Sequence, residues 1–165
     1  MTGPPRPGRA GKEPPTGLGP ANQIAVPNSV GAGGLGAGCD LRYDAAMNTS
    51  IVVLDGPVAT DVAEPAPDRL VAGKPVTRVS NYFSEATQQF FAGRWAATRG
   101  KWRVVYTENE LCVMTAGKVV IESASGERNT FVAGDAFVVP AGFCGTWEVL
   151  EDCSKIYAIF ESNAP

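Results

Sequence analysis

Gly134-Asp135-Ala136-Phe137-Val138-Val139-Pro140-Ala141-Gly142-Phe143-Cys144-Gly145-Thr146-Trp147 is the stretch whose reading decides the fold. A Gly-Asp turn leads into a short apolar run, Ala136 to Val139. Pro140 stops that run, because proline has no N–H to give to a central ladder. Gly142 and Gly145 permit a tight bend, since glycine reaches backbone angles closed to other residues. A second run, Trp147 to Leu150, follows at once. The sequence reads as strand, corner, strand.

The same grammar repeats outward from this corner. Upstream lie runs at Phe90 to Thr98, Lys101 to Tyr106, Glu110 to Thr115, Lys118 to Ser123 and Asn129 to Val132. Turns separate them at Arg99-Gly100, Ala116-Gly117 and Ser125-Gly126-Glu127. Downstream, Glu151-Asp152 turns into a last run, Lys155 to Phe160. Short strands at roughly ten-residue spacing, with little helical periodicity, predict an all-β sandwich or barrel. Farther upstream the signals weaken. Ile51 to Leu54 reads as an edge strand, Ala63 to Pro75 as an irregular arm, Val76 to Val79 as a weak strand and Asn81 to Glu85 as a turn.

Residues 1–46 are dense in glycine and proline and hold few large apolar side chains. Such a segment cannot offset the ordering entropy of about 1–2 kcal/mol per residue, so disorder is expected there. The division is then 1–46 as a disordered extension, 47–88 as an arm with edge strands, and 89–162 as the barrel. Met47 stands where ordinary sequence begins and is a candidate biological start. A chain beginning at Met47 is expected to melt at the same temperature as the full chain. A large drop would show that the extension packs on the barrel.

Composition excludes several classes. The chain has 165 residues, 44% of them apolar, enough for one domain with a core. Formal net charge is −3 and no basic block occurs, which argues against nucleic-acid binding. No apolar run approaches ~18 residues, so no membrane span is expected. Four cysteines (Cys39, Cys112, Cys144, Cys153) without a secretory leader point to reduced thiols and a cytoplasmic location. There is no histidine, which removes histidine ligands, histidine bases and any Ser-His or Cys-His arrangement.

The spacing Gly134-x5-Pro140-x-Gly142 resembles the second sequence motif of the cupins, and Glu110 with Gly117 resembles the end of the first. The stretch from about Phe91 to Phe160 is similar to the cupins related to (S)-ureidoglycine aminohydrolase. Gly93-x-Trp95, Gly100-Lys101-Trp102-Arg103, Tyr106-x-Glu108-x-Glu110, Gly145-Thr146-Trp147-Glu148 and Lys155-x-Tyr157 carry that likeness. The resemblance implies a small double-stranded β-helix, or jelly-roll, barrel. It also implies a metal held by two or three histidines and a glutamate. Only the glutamate carries over, as Glu110. The histidine places fall on Arg103 and Val105, or Val104 and Tyr106, and on Gly145. No metal and no cofactor is therefore expected.

Alternation along a strand puts Tyr106, Glu108, Glu110 and Cys112 on one face. Two carboxylates in one cavity repel, which raises the proton affinity of one and suits acid–base work. The plainer reading leaves Glu108 in solvent and Glu110 paired with a cation, Arg103 first and Lys155 second. Glu110, Lys155 and Tyr157 are the candidate catalytic residues. Arg103, Tyr106, Glu108, Cys112 and Trp147 are the candidate ligand contacts. Cys112 and Cys144 could meet near Glu110. Glu110→Gln is expected to weaken ligand binding while keeping the fold. The leading function is binding, or slow metal-independent conversion, of a small polar metabolite. The alternatives are a ureidoglycine-type metal-dependent aminohydrolase with unusual ligands and a non-catalytic structural or regulatory cupin. The expected assembly is a homodimer.

Overall fold

The structure is a computed structural model and describes residues 50–162. The extension expected at 1–46 lies outside the described residues. The described chain is all β. Its strands are β1 (Asp61–Ala63), β2 (Leu70–Gly73), β3 (Thr77–Ser84), β4 (Phe90–Ala97), β5 (Gly100–Val105), β6 (Asn109–Ser123), β7 (Arg128–Val132), β8 (Ala136–Val139) and β9 (Cys144–Phe160). Among them no helix is long and apolar enough to cross a membrane.

All pairings are antiparallel, and β9 is the spine. Its first half pairs with β5, its second half with β4, and β6 runs beside it along nearly its whole length. β8 and β7 extend the sheet from the two halves of β6, while β3 and β1 extend it from β4. A curled sheet of this connectivity is the cupin jelly-roll expected from the sequence.

Two sequence expectations change. Glu110 to Thr115 and Lys118 to Ser123 are one strand, β6, and Trp147 to Leu150 and Lys155 to Phe160 are one strand, β9. The turn signals mark bends rather than breaks. β6 is bulged between Met114 and Val119, and bulges bend a strand without ending its ladder. Gly117 sits at that bend with φ +77, and a Cβ there would lie 2.6 Å from Cys153 Cα. Only glycine lets the two long strands approach so closely.

The arm is also more ordered than its prolines suggested. β1 and β2 form within it, each on an edge of the sheet, where proline-flanked short strands are tolerated. β3 runs on through Ser84, across the turn expected at Asn81 to Glu85. Ile51 to Leu54, expected as an edge strand, is not a strand.

The corner at 140–143 is where sequence and structure meet most closely. Gly142 takes φ +86 and its N–H donates to the Tyr106 carbonyl at 2.8 Å. Tyr106 N–H donates in turn to the Phe143 carbonyl at 2.9 Å, and Ala141 N–H donates to Asn109 Oδ1 at 3.1 Å. These bonds fix the loop between β5 and β6. Inward-facing side chains, led by Trp95, Trp102, Trp147 and Met114, fill the concave side of the sheet.

Candidate functional site

The alternation expected along the loop and β6 holds through the loop. Tyr106, Glu108, Glu110, Cys112 and Met114 are all buried, and the residues between them are exposed or half-buried. The chain bends at Thr107 and Glu108, yet with the corner bonds in place Tyr106 and Glu108 both turn inward. Glu108 is thus buried, not solvated. Its Oε2 accepts from Thr107 N–H at 2.8 Å and Thr107 Oγ1 at 3.0 Å, while its Oε1 is buried without a hydrogen-bond partner.

Across the sheet, β9 brings Lys155 opposite Met114 on one side and Trp95 on the other. Lys155 Nζ donates to both oxygens of Glu110 at 2.8 Å and to Cys112 Sγ at 3.2 Å. Glu110 is 0% exposed and Lys155 2%. The ammonium also stands 5.0 Å from the Trp95 ring centroid and 4.6 Å from that of Trp147, so two aromatic faces share its charge. Lys155, the second-choice partner, holds Glu110. Arg103, the first choice, does not. It projects from the outer face of β5, exposed, with Nη1 donating to the Asp68 carbonyl at 3.4 Å. One-residue alternation with buried Trp102 and Val104 forces that orientation.

Tyr157 is buried on the face of β9 that carries Lys155. Its hydroxyl lies 3.0 Å from the Asn81 amide. That amide satisfies all its neighbours when its nitrogen donates to Phe83 O, Ala92 O and the Tyr157 hydroxyl, with its oxygen accepting from Ser84 Oγ. Tyr157 then keeps its own proton for another acceptor. Asn81 carried no signal in the sequence, where it read as a turn residue. Cys144 does not approach Cys112. It is exposed at the start of β9, with Sγ 3.7 Å from the Gly142 carbonyl. Trp147 packs edge-on against Trp95 at 5.6 Å, and its Nε1 is buried without a hydrogen-bond partner.

The donor set does not fit a cupin metal. Of the places the resemblance assigns to ligands, Arg103 faces outward, Val104 is apolar core and Gly145 has no side chain. Among the described residues no group of three Cys, Asp or Glu side chains converges. Glu110 already spends both oxygens on an ammonium, and a divalent ion there would face that charge at close range.

Burial governs the titration of this cluster. Burial pushes the Cys112 thiol from 9.0 up to about 12, with Lys155 offsetting part of the rise. Burial, then the charges of Glu110 and Cys112, hold the Tyr106 phenol well above 10.0. Burial, then Glu110 and Asp61, raise Tyr157. For Lys155 burial works to lower the value, but negative charge on Cys112 and Glu110 outweighs it and the net shift is upward. Because Cys112 stays a thiol at neutral pH, Glu110 is the partner that holds the ammonium there.

These shifts give one sign. Cys112, Tyr106 and Tyr157 stay protonated in the fold at pH values where the unfolded chain loses those protons, so stability falls as pH rises. The contribution of Lys155 is present below 10.5 and is lost as pH rises through its higher folded value. Stability is therefore expected to decline from about pH 9, where the unfolded thiol begins to ionise, by up to about 1.4 kcal/mol per pH unit for each such group. Denaturant titrations between pH 7 and 11 measure this, and Cys112→Ala should make the first part of the decline shallower. An unchanged midpoint at pH 11 would contradict the assignment.

Above Trp95 and Trp102 the arm leaves a cleft of about 370 Å³, lined also by Asp61, Glu64, Arg69 and Thr77. Trp95 lines this cleft, and its ring centroid also stands 5.0 Å from the Lys155 ammonium.

The fold is that of a cupin domain. Residues 84–157, somewhat under half of the chain, match the family model described as the EutQ-like cupin domain. That match names the EutQ-like domain rather than the ureidoglycine aminohydrolase-like group expected from the sequence. Among solved structures, a protein of unknown function in the DUF861 family from Pseudomonas syringae pv. tomato is similar, with TM-score 0.58 and 22% identity over 66% of this chain and 46% of that one. The EutQ protein of Clostridium difficile gives TM-score 0.49 and 15% identity, over 54% of this chain and 65% of that one. A DUF861 family protein from Thermotoga maritima gives 30% identity and TM-score 0.38, over 39% of this chain and 73% of that one. The chain thus spans less than half the length of the Pseudomonas protein and just under two thirds of the Clostridium one. The Pseudomonas likeness shows the fold alone. No curated protein matches the chain.

Proposed function

We propose that this domain binds a small polar metabolite at the mouth of its barrel, or converts one slowly, without a histidine-ligated metal. The observation that carries the reading is a fully buried Glu110–Lys155 pair whose ammonium contacts Trp95, a residue that also lines the cleft. The aromatic floor suits a flat or ring-shaped body, and Asp61, Glu64 and Thr77 at the walls suit polar groups on it. Glu110, Lys155 and Tyr157 are the groups able to hold and pass protons there. An aminohydrolase-like conversion of the ureidoglycine type remains the finer form of this reading, with Lys155 supplying positive charge beside Glu110.

Thermal-shift screening with ureides, carboxylic acids and sugars tests it, because a ligand that binds only the folded state raises the melting temperature. At least one compound should do so, and Glu64→Gln, at the cleft wall, should reduce that shift while leaving the ligand-free fold in place. A panel with no hit sinks the binding reading. The near-complete burial of Glu110 and Lys155 favours a second reading, a non-catalytic barrel in which the pair is structural. A blank screen together with a strongly stabilising pair would select it.

A further inference from the structure

We propose that the cleft between the arm and the two tryptophans takes a small organic ammonium ion; this names the ligand class for the binding proposed above and rests on that reading. The cleft draws on both ends of the strand order. β1 and β2 lie at those opposite ends, and residues 64–69 join them. β1 and the joining segment supply Asp61, Glu64 and Arg69, while β3, β4 and β5 supply Thr77, Trp95 and Trp102. At about 370 Å³ the space suits a small molecule.

Charge sets the class. Two carboxylates line the cleft against one guanidinium, and Arg69 has an interaction of its own within the chain. Asp61 and Glu64 are exposed, and neither forms an ion pair among the described residues. A carboxylate or phosphate ligand would meet like charge there, which disfavours it. Burial, then the charges of Glu110 and Asp61, raise the Tyr157 phenol, so the field of Asp61 also reaches into the barrel.

The aromatic side answers the same ligand. Trp95 and Trp102 stand with ring centroids 6.3 Å apart and planes tilted by 43°. An ammonium ion is drawn to the electron-rich face of an indole, most strongly where water is thin, and this is how aromatic sites hold alkylated ammonium groups. The molecule already uses Trp95 in this way, with the Lys155 ammonium 5.0 Å from its centroid. That ammonium is held by both oxygens of Glu110, so the pair presents no net charge to repel a second cation. A neutral ligand would gain the aromatic contact but leave Asp61 and Glu64 unanswered. Of the three charge types, the cation alone gains from both the rings and the carboxylates.

Isothermal titration of the full chain at low salt tests the class with two probes, choline and the neutral alcohol in which a tert-butyl group replaces its trimethylammonium group. Choline is expected to bind at least about tenfold more tightly than the alcohol, which has nearly the same shape. Asp61→Asn/Glu64→Gln should erase that preference, and both side chains are exposed, so the fold should not depend on them. Glu151→Gln, which removes an exposed charge outside the cleft, should keep it. Equal affinity for the two probes, no choline binding, or a preference that survives in the double variant overturns the proposal. Should the double variant lose its near-ultraviolet dichroism, proton NMR of choline with the wild type decides. Its methyl signal should move upfield under the ring currents of Trp95 and Trp102, and an unmoved signal overturns the proposal. A ureide, acid or sugar that binds where choline does not sinks the ammonium class and leaves the broader binding reading standing, whereas a blank with every compound sinks both.

Discussion

Lys155→Met is expected to cost about 3–5 kcal/mol of unfolding free energy, a large part of what holds a domain of this size together. The substitution keeps length and shape but leaves the Glu110 carboxylate fully buried without its cation. Cys112 and Tyr106 cannot replace it. Cys112 is a thiol at neutral pH, and Tyr106 supplies a neutral donor. The loss should come mostly from the stranded charge rather than from the pair itself, because desolvating two ions consumes most of their attraction. The double variant Glu110→Gln/Lys155→Met removes both charges and should recover at least half of the loss. Glu110→Gln alone leaves the ammonium buried, cushioned by the faces of Trp95 and Trp147, and should fall between the two. This revises the expectation that Glu110→Gln spares the fold, which assumed a less deeply enclosed carboxylate. Urea titrations of the four proteins measure the cycle. A Lys155→Met midpoint within error of wild type would show that the pair is not a buried ion pair.

Gly145→His is expected to destabilise by about 3 kcal/mol or more and to create no metal site. Gly145 stands where the cupin motif would carry its last histidine, so this is the obvious substitution for restoring a ligand. The backbone forbids it. Gly145 lies mid-sheet, paired with Val104 on β5 and Ser123 on β6. A Cβ there would press into the Glu122 carbonyl oxygen and lie 2.9 Å from the Phe143 ring. One of those neighbours is main chain in a central ladder and cannot swing aside. Gly145→Ala should already cost most of the loss, since the clash begins at Cβ. Denaturation midpoints for the Ala and His variants, with elemental analysis of the His variant, test this. A stable Gly145→His protein carrying one equivalent of zinc or manganese would overturn both the packing argument and the reading of the donor set.

The sequence by itself determined the strand series, the corner at Pro140 to Phe143 and the shared face of Tyr106, Glu108, Glu110 and Cys112, but not that Glu108 is buried with the others. Those features are local. Proline ends a ladder wherever it stands, glycine opens a bend, and two-residue alternation sends side chains to opposite faces. The same locality explains where the reading was incomplete. Turn residues at Ala116-Gly117 and Glu151-Asp152 signal a change of direction, but whether the ladder continues through it depends on the neighbouring strand, and here β6 and β9 bend together. The arm's β1 and β2 exist only because β3 and β5 offer edges to pair with. The partner of Glu110 was undecidable in the same way. Arg103 and Lys155 both lie on strands that could reach it, and the choice rests on which face each strand turns inward. The register of β9 against β6 and β4 places Lys155 inside, and the phase of β5 places Arg103 outside. Asn81 against Tyr157 and the Trp95 and Trp147 faces around the ammonium have the same origin. Each joins strands far apart in the chain, and no periodicity within one strand records what the next strand presents to it.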